Sequence, residues 1–268
     1  MIDFEALVQL DQNLNEINFE KELILDFNLS KNKNITLEDG VNYIISLEHF
    51  SDDCTLDLTS GKNNKILLNA LVDNTIKNAR IAGKIMQNSV IFCYFADFTS
   101  SEFKSIVHFE LVEENASIFW HLSSLSATND NKEFEVSVIH KHPSTFARVE
   151  NYGVCKDNGR LIFSGESKIE KGCSGSKSHQ NAKIMVFNEQ SIAKAKPVLK
   201  IDENDIEASH AAVVGRINEE HLFYLTSRGL SEANAKQLIT YGYLKPIVKG
   251  FLNDDVKNEI NSLIERRM

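Results

Sequence analysis

The 268-residue sequence predicts a mainly β body of many short strands, followed by a small helical unit. Three observations lead there. From about Glu22 to Ile201, apolar and polar residues alternate with period two over runs of about five to eight residues, each closed by Asn, Asp, Gly or Ser. No segment in that span carries the 3.6-residue apolar period of a long helix. After Ile217 the pattern turns into capped, helix-type segments. Strands without intervening helices are compatible with a sandwich, a barrel or a solenoid. Turn spacing that is uneven, and in places too long for hairpins, leans toward a β-helix with coils of different lengths.

Examples of these segments, in order, are ELILDFNL (22–29), NYIISLEHF (42–50), CTLDLTSGKNN (54–64), KILLNALVDN (65–74), SIVHFELVEEN (105–115), SIFWHLSSLS (117–126), EFEVSVIHKH (133–142), GRLIFSGESKIE (159–170) and AKIMVFNEQ (182–190). Strand patterning starts within about the first twenty residues, and Lys31 to Lys33 and Glu265 to Arg267 read as solvated turn and tail. In the tail, Asn218 caps a first helix with Leu222, Phe223 and Leu225 on its apolar face, and Arg228 and Gly229 end it. Ser231 caps a second helix carrying Ala235, Leu238 and Ile239, which runs to Gly242. A third starts at Asn253, with Asp254 and Asp255 in its first turn and Val256, Ile260, Leu263 and Ile264 on one stripe. Pro246 separates the last two. The predicted division is a β core over 1–217 and a helical segment over 218–268.

Composition narrows the function. A net charge of −9 and 29 scattered basic residues give no phosphate-binding surface, so no nucleic-acid partner is expected. MIDFEALVQLDQN carries acids where a signal peptide needs an apolar core, and no run approaches ~18 apolar residues; a soluble, cytoplasmic protein without membrane contact is expected. Cys54, Cys93, Cys155 and Cys173 form no CxxC pair and read as thiols outside any disulfide or zinc site.

Few side chains suggest chemistry. His210 lies between small residues just before the change of pattern; a histidine in such a setting is most often a hydrogen-bonded structural group. His140 and His142 share one strand face by spacing and read as exposed histidines in the absence of a third ligand. Cys173, in the turn EKGCSGSKSHQ near His179, reads as a thiol beside a glycine turn and only weakly as a ligand. Phe223, Tyr224 and Leu225 are expected to pack the first tail helix onto the β body. A β-helix carbohydrate-active enzyme would need paired carboxylates; Asp97, Glu110, Glu113 and Glu114 are available, and no spacing singles out a pair.

An ordered run of residues resembles the SufB/SufD family of iron–sulfur cluster assembly scaffold proteins, and more closely its SufD branch. The run comprises GRLIFSGESKI (159–169), Gln180 and Asn181, AKAKPVLKI (193–201), Asp205, Ser209, His210, Gly215, LFYLTSRGL (222–230) and the AKQLITYGYLKPIV tail, over roughly residues 130 to 250. The resemblance implies a right-handed parallel β-helix followed by helices. It further implies pairing through the β-helical cores with a SufB-like scaffold or a second copy of the chain. The helical region would bind a SufC-type ATPase, and Phe223, Tyr224, Arg228, Gly229, Tyr243 and Pro246 are the residues expected to meet a partner. A nascent cluster would form transiently at the core interface, with His210 as a candidate ligand there.

The chain departs from the family pattern in two places. Where SufD-like chains usually read Cys-Ser-His-Gly-Ala-Thr, this one has Ala208, Ser209, His210, Ala211, Ala212 and Val213. The SufB-branch cysteine six residues before the proline matching Pro197 is here Ser191. Clusters are held chiefly by thiolates, so the expected role is to support a cluster site carried by a partner. Neither Gly61-Lys62 nor Gly83-Lys84 completes a GxxxxGK[ST] motif; no enzyme activity is expected of this chain, and ATP hydrolysis would come from a partner.

Overall fold

A computed structural model describes residues 3–49, 53–72 and 78–267; Phe50, Asp73 and Asn74, at the ends of two expected strands, lie outside the described residues. The chain forms strands β1 to β15, and each successive strand joins the opposite one of two sheets. The eight-stranded sheet takes β1 (Lys21–Asp26), β3 (Tyr43–Glu48), β5 (Lys65–Val72), β7 (Val90–Asp97), β9 (Ser117–Ser126), β11 (Phe146–Cys155), β13 (Ser176–Val186) and β15 (Ile206–Arg216). The seven-stranded sheet takes β2 (Asn32–Thr36), β4 (Cys54–Thr59), β6 (Asn78–Ile85), β8 (Glu102–Leu111), β10 (Asn131–His140), β12 (Arg160–Ile169) and β14 (Ile192–Ile201). Neighbours in both sheets pair in parallel, so the chain is a parallel β-helix.

The coils stack because one turn position repeats. Gly40, Asn63, Asn88, Asn115, Ser144 and Gly175 all have positive φ, between 55° and 72°. Glycine and asparagine tolerate that left-handed conformation best. The amide of Asn63 donates to Gln87 O at 2.9 Å and that of Asn88 to Glu114 O at 3.1 Å, each bonding to the next coil. Side chains add a ladder, Asn115 Nδ2 to Asn88 Oδ1 at 2.9 Å and Asn88 Nδ2 to Asn63 Oδ1 at 3.1 Å.

Two apolar cores result. Inside the solenoid, Phe95, Phe109, Trp120, Phe134 and Phe163 are buried among aliphatic side chains from both sheets. Outside it, the eight-stranded sheet turns Phe92, Tyr94 and Phe119 toward a helical layer. That layer contains α1 (Phe4–Gln12), α2 (Glu219–Ser227), α3 (Glu232–Leu244), α4 (Asp254–Arg266) and a 3₁₀ turn over Lys245–Gly250 holding the exposed Pro246. Asn218, Ser231 and Asn253 cap α2, α3 and α4 with their side chains, as expected, and α3 runs on to Leu244. Gly250 lies against Tyr94, where a Cβ would come within 1.9 Å of the ring. Among the described residues, no helix is long and apolar enough to cross a membrane.

Three sequence expectations are corrected. The first residues form helix α1, capped by Asp3, and strands start only at Lys21. Lys31 to Lys33 is not simply a turn, since β2 begins at Asn32. β7, not among the period-two segments, reads VIFCYFA without a charged residue or an alternation, as a strand buried on both faces can. The tail is not solvated throughout: Arg267 reaches back to donate to the carbonyls of Phe98 and Thr99 and to the Asp130 carboxylate.

Beneath that clasp, Lys132 Nζ lies 2.8 Å from Asp97 Oδ2, both side chains fully buried, and also donates to Thr99 O at 2.7 Å. Asp97 accepts in addition from the amide and hydroxyl of Thr99. The pair is a structural strut, with the Asp97 carboxylate enclosed by its hydrogen-bond donors. Removing one member of a buried pair strands the other charge. Lys132→Met is therefore expected to lower unfolding free energy by about 3–5 kcal/mol in a urea titration, whereas Lys194→Met on the surface should change it by less than about 0.5 kcal/mol.

Candidate functional site

In-register stacking lines up side chains from successive coils. On the outer face of the eight-stranded sheet, Tyr94, His121, Glu150, Asn181 and Ala211 form one column, and Phe92, Phe119, Arg148, His179 and Ser209 the next. The inward column runs Trp120, Val149, Gln180, His210. His210 thus has the phase of a core residue, yet it is exposed because no described coil covers β15. Ala208 and Ala212 share that phase.

The floor beneath His210 is polar. Gln180 Nε2 donates to Ser167 Oγ at 2.6 Å and to Val198 O at 3.2 Å, and the buried Ser178 hydroxyl has no hydrogen-bond partner. Beside it lies a shallow depression of about 430 Å³ lined by Arg148, Glu150, His179, Gln180, Asn181, Ser209 and His210. His179 Nδ1 is 2.8 Å from Ser209 Oγ. Burial holds the His179 imidazole below its ordinary pKa, against the pull of Glu207.

Glu150 connects this depression to a buried network. His121 sits between Asp11 of α1, at 2.9 Å from Nε2, and Glu150, at 3.4 Å from Nδ1. Tyr94 donates to Asp11 Oδ1 at 2.7 Å, and Lys249 lies 3.5 Å from Asp11 Oδ2. Burial alone would lower the His121 pKa; the two carboxylates outweigh it and the net direction is upward. Burial raises the Asp11 pKa, but His121 and Lys249 bring it below its ordinary value, and the hydrogen bond from His121 does the same for Glu150.

The comparisons with known proteins agree with this architecture. The family model described as "SUF system FeS cluster assembly, SufBD core domain" matches residues 55–243. The chain belongs to the SufBD family. It is 36% identical over 137 residues to the iron–sulfur cluster assembly protein SufD of Bacillus subtilis, a match covering 51% of this chain and 31% of that protein. A SufBD family protein of Staphylococcus saprophyticus is 30% identical over 131 residues, covering 49% of this chain and 28% of that one. One from Mycobacterium bovis is 29% identical over 145 residues, covering 54% and 17%. The matches thus span less than a third of the length of these relatives, and they mark this SufBD protein as SufD-like.

The remaining candidates are dispersed. Cys173 is buried in the turn after β12, where Sγ donates to His140 O at 3.3 Å and burial pushes the thiol pKa up. None of the four cysteines is in a disulfide, and all are buried. Among the described residues, no three His, Cys, Asp or Glu side chains form a group able to hold a metal ion. The expectation of two exposed histidines on one strand face is corrected. β10 ends at His140, which is fully buried, donates or accepts at Thr145 Oγ1 over 2.8 Å and has its pKa lowered by burial to about 3. His142 lies beyond the strand, in the turn.

The tail reading also needs correction. No residue of α2 is buried; Phe223 and Tyr224 are 74% and 57% exposed, so they do not fasten the helix to the β body. The Arg228 guanidinium sits 5.3 Å over the Tyr224 ring, and Gly229 has φ +96°, ending the helix. Tyr243 instead packs edge-on against Tyr152 at 5.7 Å. Sequence reasoning missed Arg148 and Glu150, since their grouping with Asn181 depends on coil lengths that only the strand register reveals.

The network makes a signed pH prediction. His121, raised above its ordinary 6.5, stabilises fully below that pH, and the contribution is lost as pH rises through the folded value. Asp11 and Glu150, lowered from 3.8 and 4.5, contribute above those values and lose it as pH falls. The excess thermal stability of wild type over His121→Gln should therefore be greatest between about pH 5 and 6.5 and shrink by about pH 9. A difference in melting temperature that stays flat over that interval would contradict the assignment.

Proposed function

We propose that this SufBD protein is a SufD-like, non-catalytic subunit of a SUF-type assembly complex, pairing with a SufB-like scaffold and recruiting a SufC-type ATPase. The observation that carries the reading is the uncovered last coil. β14 and β15 each end a sheet, and the final coil exposes Ile192, Val198, Val213 and Val214 beside His210. Such an edge offers unpaired backbone groups and apolar side chains for an opposing sheet to cover. The iron–sulfur cluster is cargo in this reading, and with Ala208 where a thiol is usual, its thiolates come from the partner. His210, on the same side as Ala208, supplies an imidazole nitrogen across the interface.

The ATPase surface is assigned to α2 and α3, where Phe223, Tyr224 and Leu238 are exposed together with Arg228 and Gly229. Large aromatic and arginine side chains of this kind commonly anchor protein interfaces. Ala208 also favours a second reading, in which two copies of this chain pair through β14 and β15 without contacting a cluster.

Affinity capture of the natively expressed protein should bring down a SufC-type ATPase and a SufB-like subunit; capture of neither refutes the assembly reading, and capture of only a second copy selects the homodimer. Within the reconstituted complex, His210→Ala should reduce visible cluster absorbance while leaving the circular dichroism unchanged. Absorbance equal to wild type would remove His210 from the site. For the ATPase surface, the exposed pair Phe223→Ala with Tyr224→Ala should weaken ATPase binding by about thirty-fold or more, without loss of folding. Unchanged affinity would move the surface elsewhere.

A further inference from the structure

At the other end of the solenoid, the outer face of the eight-stranded sheet has no helical cover among the described residues. The helical layer reaches β5 through Phe251, Leu252 and Val256 and stops there. β1 and β3 then point Glu22, Ile24, Ile44, Ser46 and Glu48 outward, and Ile24 is 58% exposed. A cleft of about 330 Å³ remains between this bare strip and the start of α4. Two strands spaced ~4.8 Å apart leave a strip ~10 Å wide, the diameter of one α-helix.

The chemistry of the cleft is defined. Ile24, Ile44 and Val256 form an apolar floor, and Glu22, Glu48 and Glu259 stand around it. No ion pair to these three carboxylates is found among the described residues. The neighbouring Lys21 is engaged with Glu38 at 2.6 Å, and the His49 ring lies 3.1 Å from Asp26 Oδ1. Acids without an ion pair among the described residues, set around an apolar floor, favour a ligand with an apolar stripe and basic flanks. They disfavour an anionic membrane surface and a second copy of this chain, whose net charge is −9.

We propose that this cleft docks an amphipathic helix of a partner protein, with apolar residues on Ile24, Ile44 and Val256 and Lys or Arg over Glu22, Glu48 and Glu259. The docked helix continues the layer that α1, α3 and α4 form on the same sheet face. The surface lies at the opposite end of the solenoid from His210 and does not depend on the assembly reading.

The test uses a fluorescein-labelled 18-residue helical peptide with Leu at i, i+3, i+4 and i+7 and Lys on the other face, against a counterpart carrying Glu there. Anisotropy should show the Lys peptide binding and the Glu peptide not binding. Ile24→Asp and Glu48→Lys, both on exposed positions, should each weaken binding about ten-fold or more, while Glu207→Lys on the last coil should not. The proposal is overturned if the Lys peptide does not bind, if both peptides bind alike, if neither cleft variant alters affinity, or if Glu207→Lys weakens it equally. Self-association abolished by Ile24→Asp would assign the cleft to a second copy and likewise overturn it. Circular dichroism confirms that each variant folds; if Ile24→Asp does not, Glu48→Lys decides.

Discussion

The hydrogen bonds that join each strand to the one a full coil later are the constraint on which the rest of the molecule depends. They are long-range in sequence and parallel in direction, so they form only if every coil returns the chain to the same turn in the same conformation. The left-handed positions from Gly40 to Gly175 enforce that return. Once the register is set, side chains from distant segments fall into columns. Tyr94, His121, Glu150 and Asn181 become neighbours although nothing in their local sequence announces it. The helical layer follows from the same rule, since a sheet face made apolar over several coils must be covered.

The interior changes character along the axis. In the middle coils it is filled by aromatic rings, with Phe95 stacked on Phe103 and Trp120 and edge-on to Phe134. Toward the last coils it becomes serine, asparagine and glutamine, with Ser167, Ser176, Ser178 and Gln180 buried. Buried polar groups of this kind are tolerated where hydrogen bonds satisfy them, as Ser167 and Val198 do for Gln180. Aromatic packing is thereby concentrated in the centre, and the polar end is the one at which His210 is exposed.

Much of the fold was legible in the sequence, and the reasons for the exceptions are specific. Half-buried strands such as EFEVSVIHKH declare themselves through alternation, and the caps Asn218, Ser231 and Asn253 declare the helices. β7 lacks alternation because both faces are covered, one by the interior and one by the 3₁₀ turn of the tail. His140 looked exposed because spacing records phase within a strand and not what lies above it. Phe223 and Tyr224 looked like packing residues because an apolar helical stripe reads the same whether it meets the protein's own sheet or remains bare. His210 was visible as a residue at a junction; its place in an inward column, left uncovered at the last coil, required the register.

The last coil also controls what kind of assembly can grow from it. A solenoid with open ends could stack head to tail on itself and propagate as a fibre. On β14, Pro197 has no N–H to donate to an added strand, and Lys194, Lys196 and Lys200 alternate along the exposed side. The opposite end of the same sheet begins beside Lys31 and Lys33, so self-stacking would bring positive charge against positive charge. Head-to-tail growth through this edge is therefore opposed twice, by a missing backbone donor and by like charge.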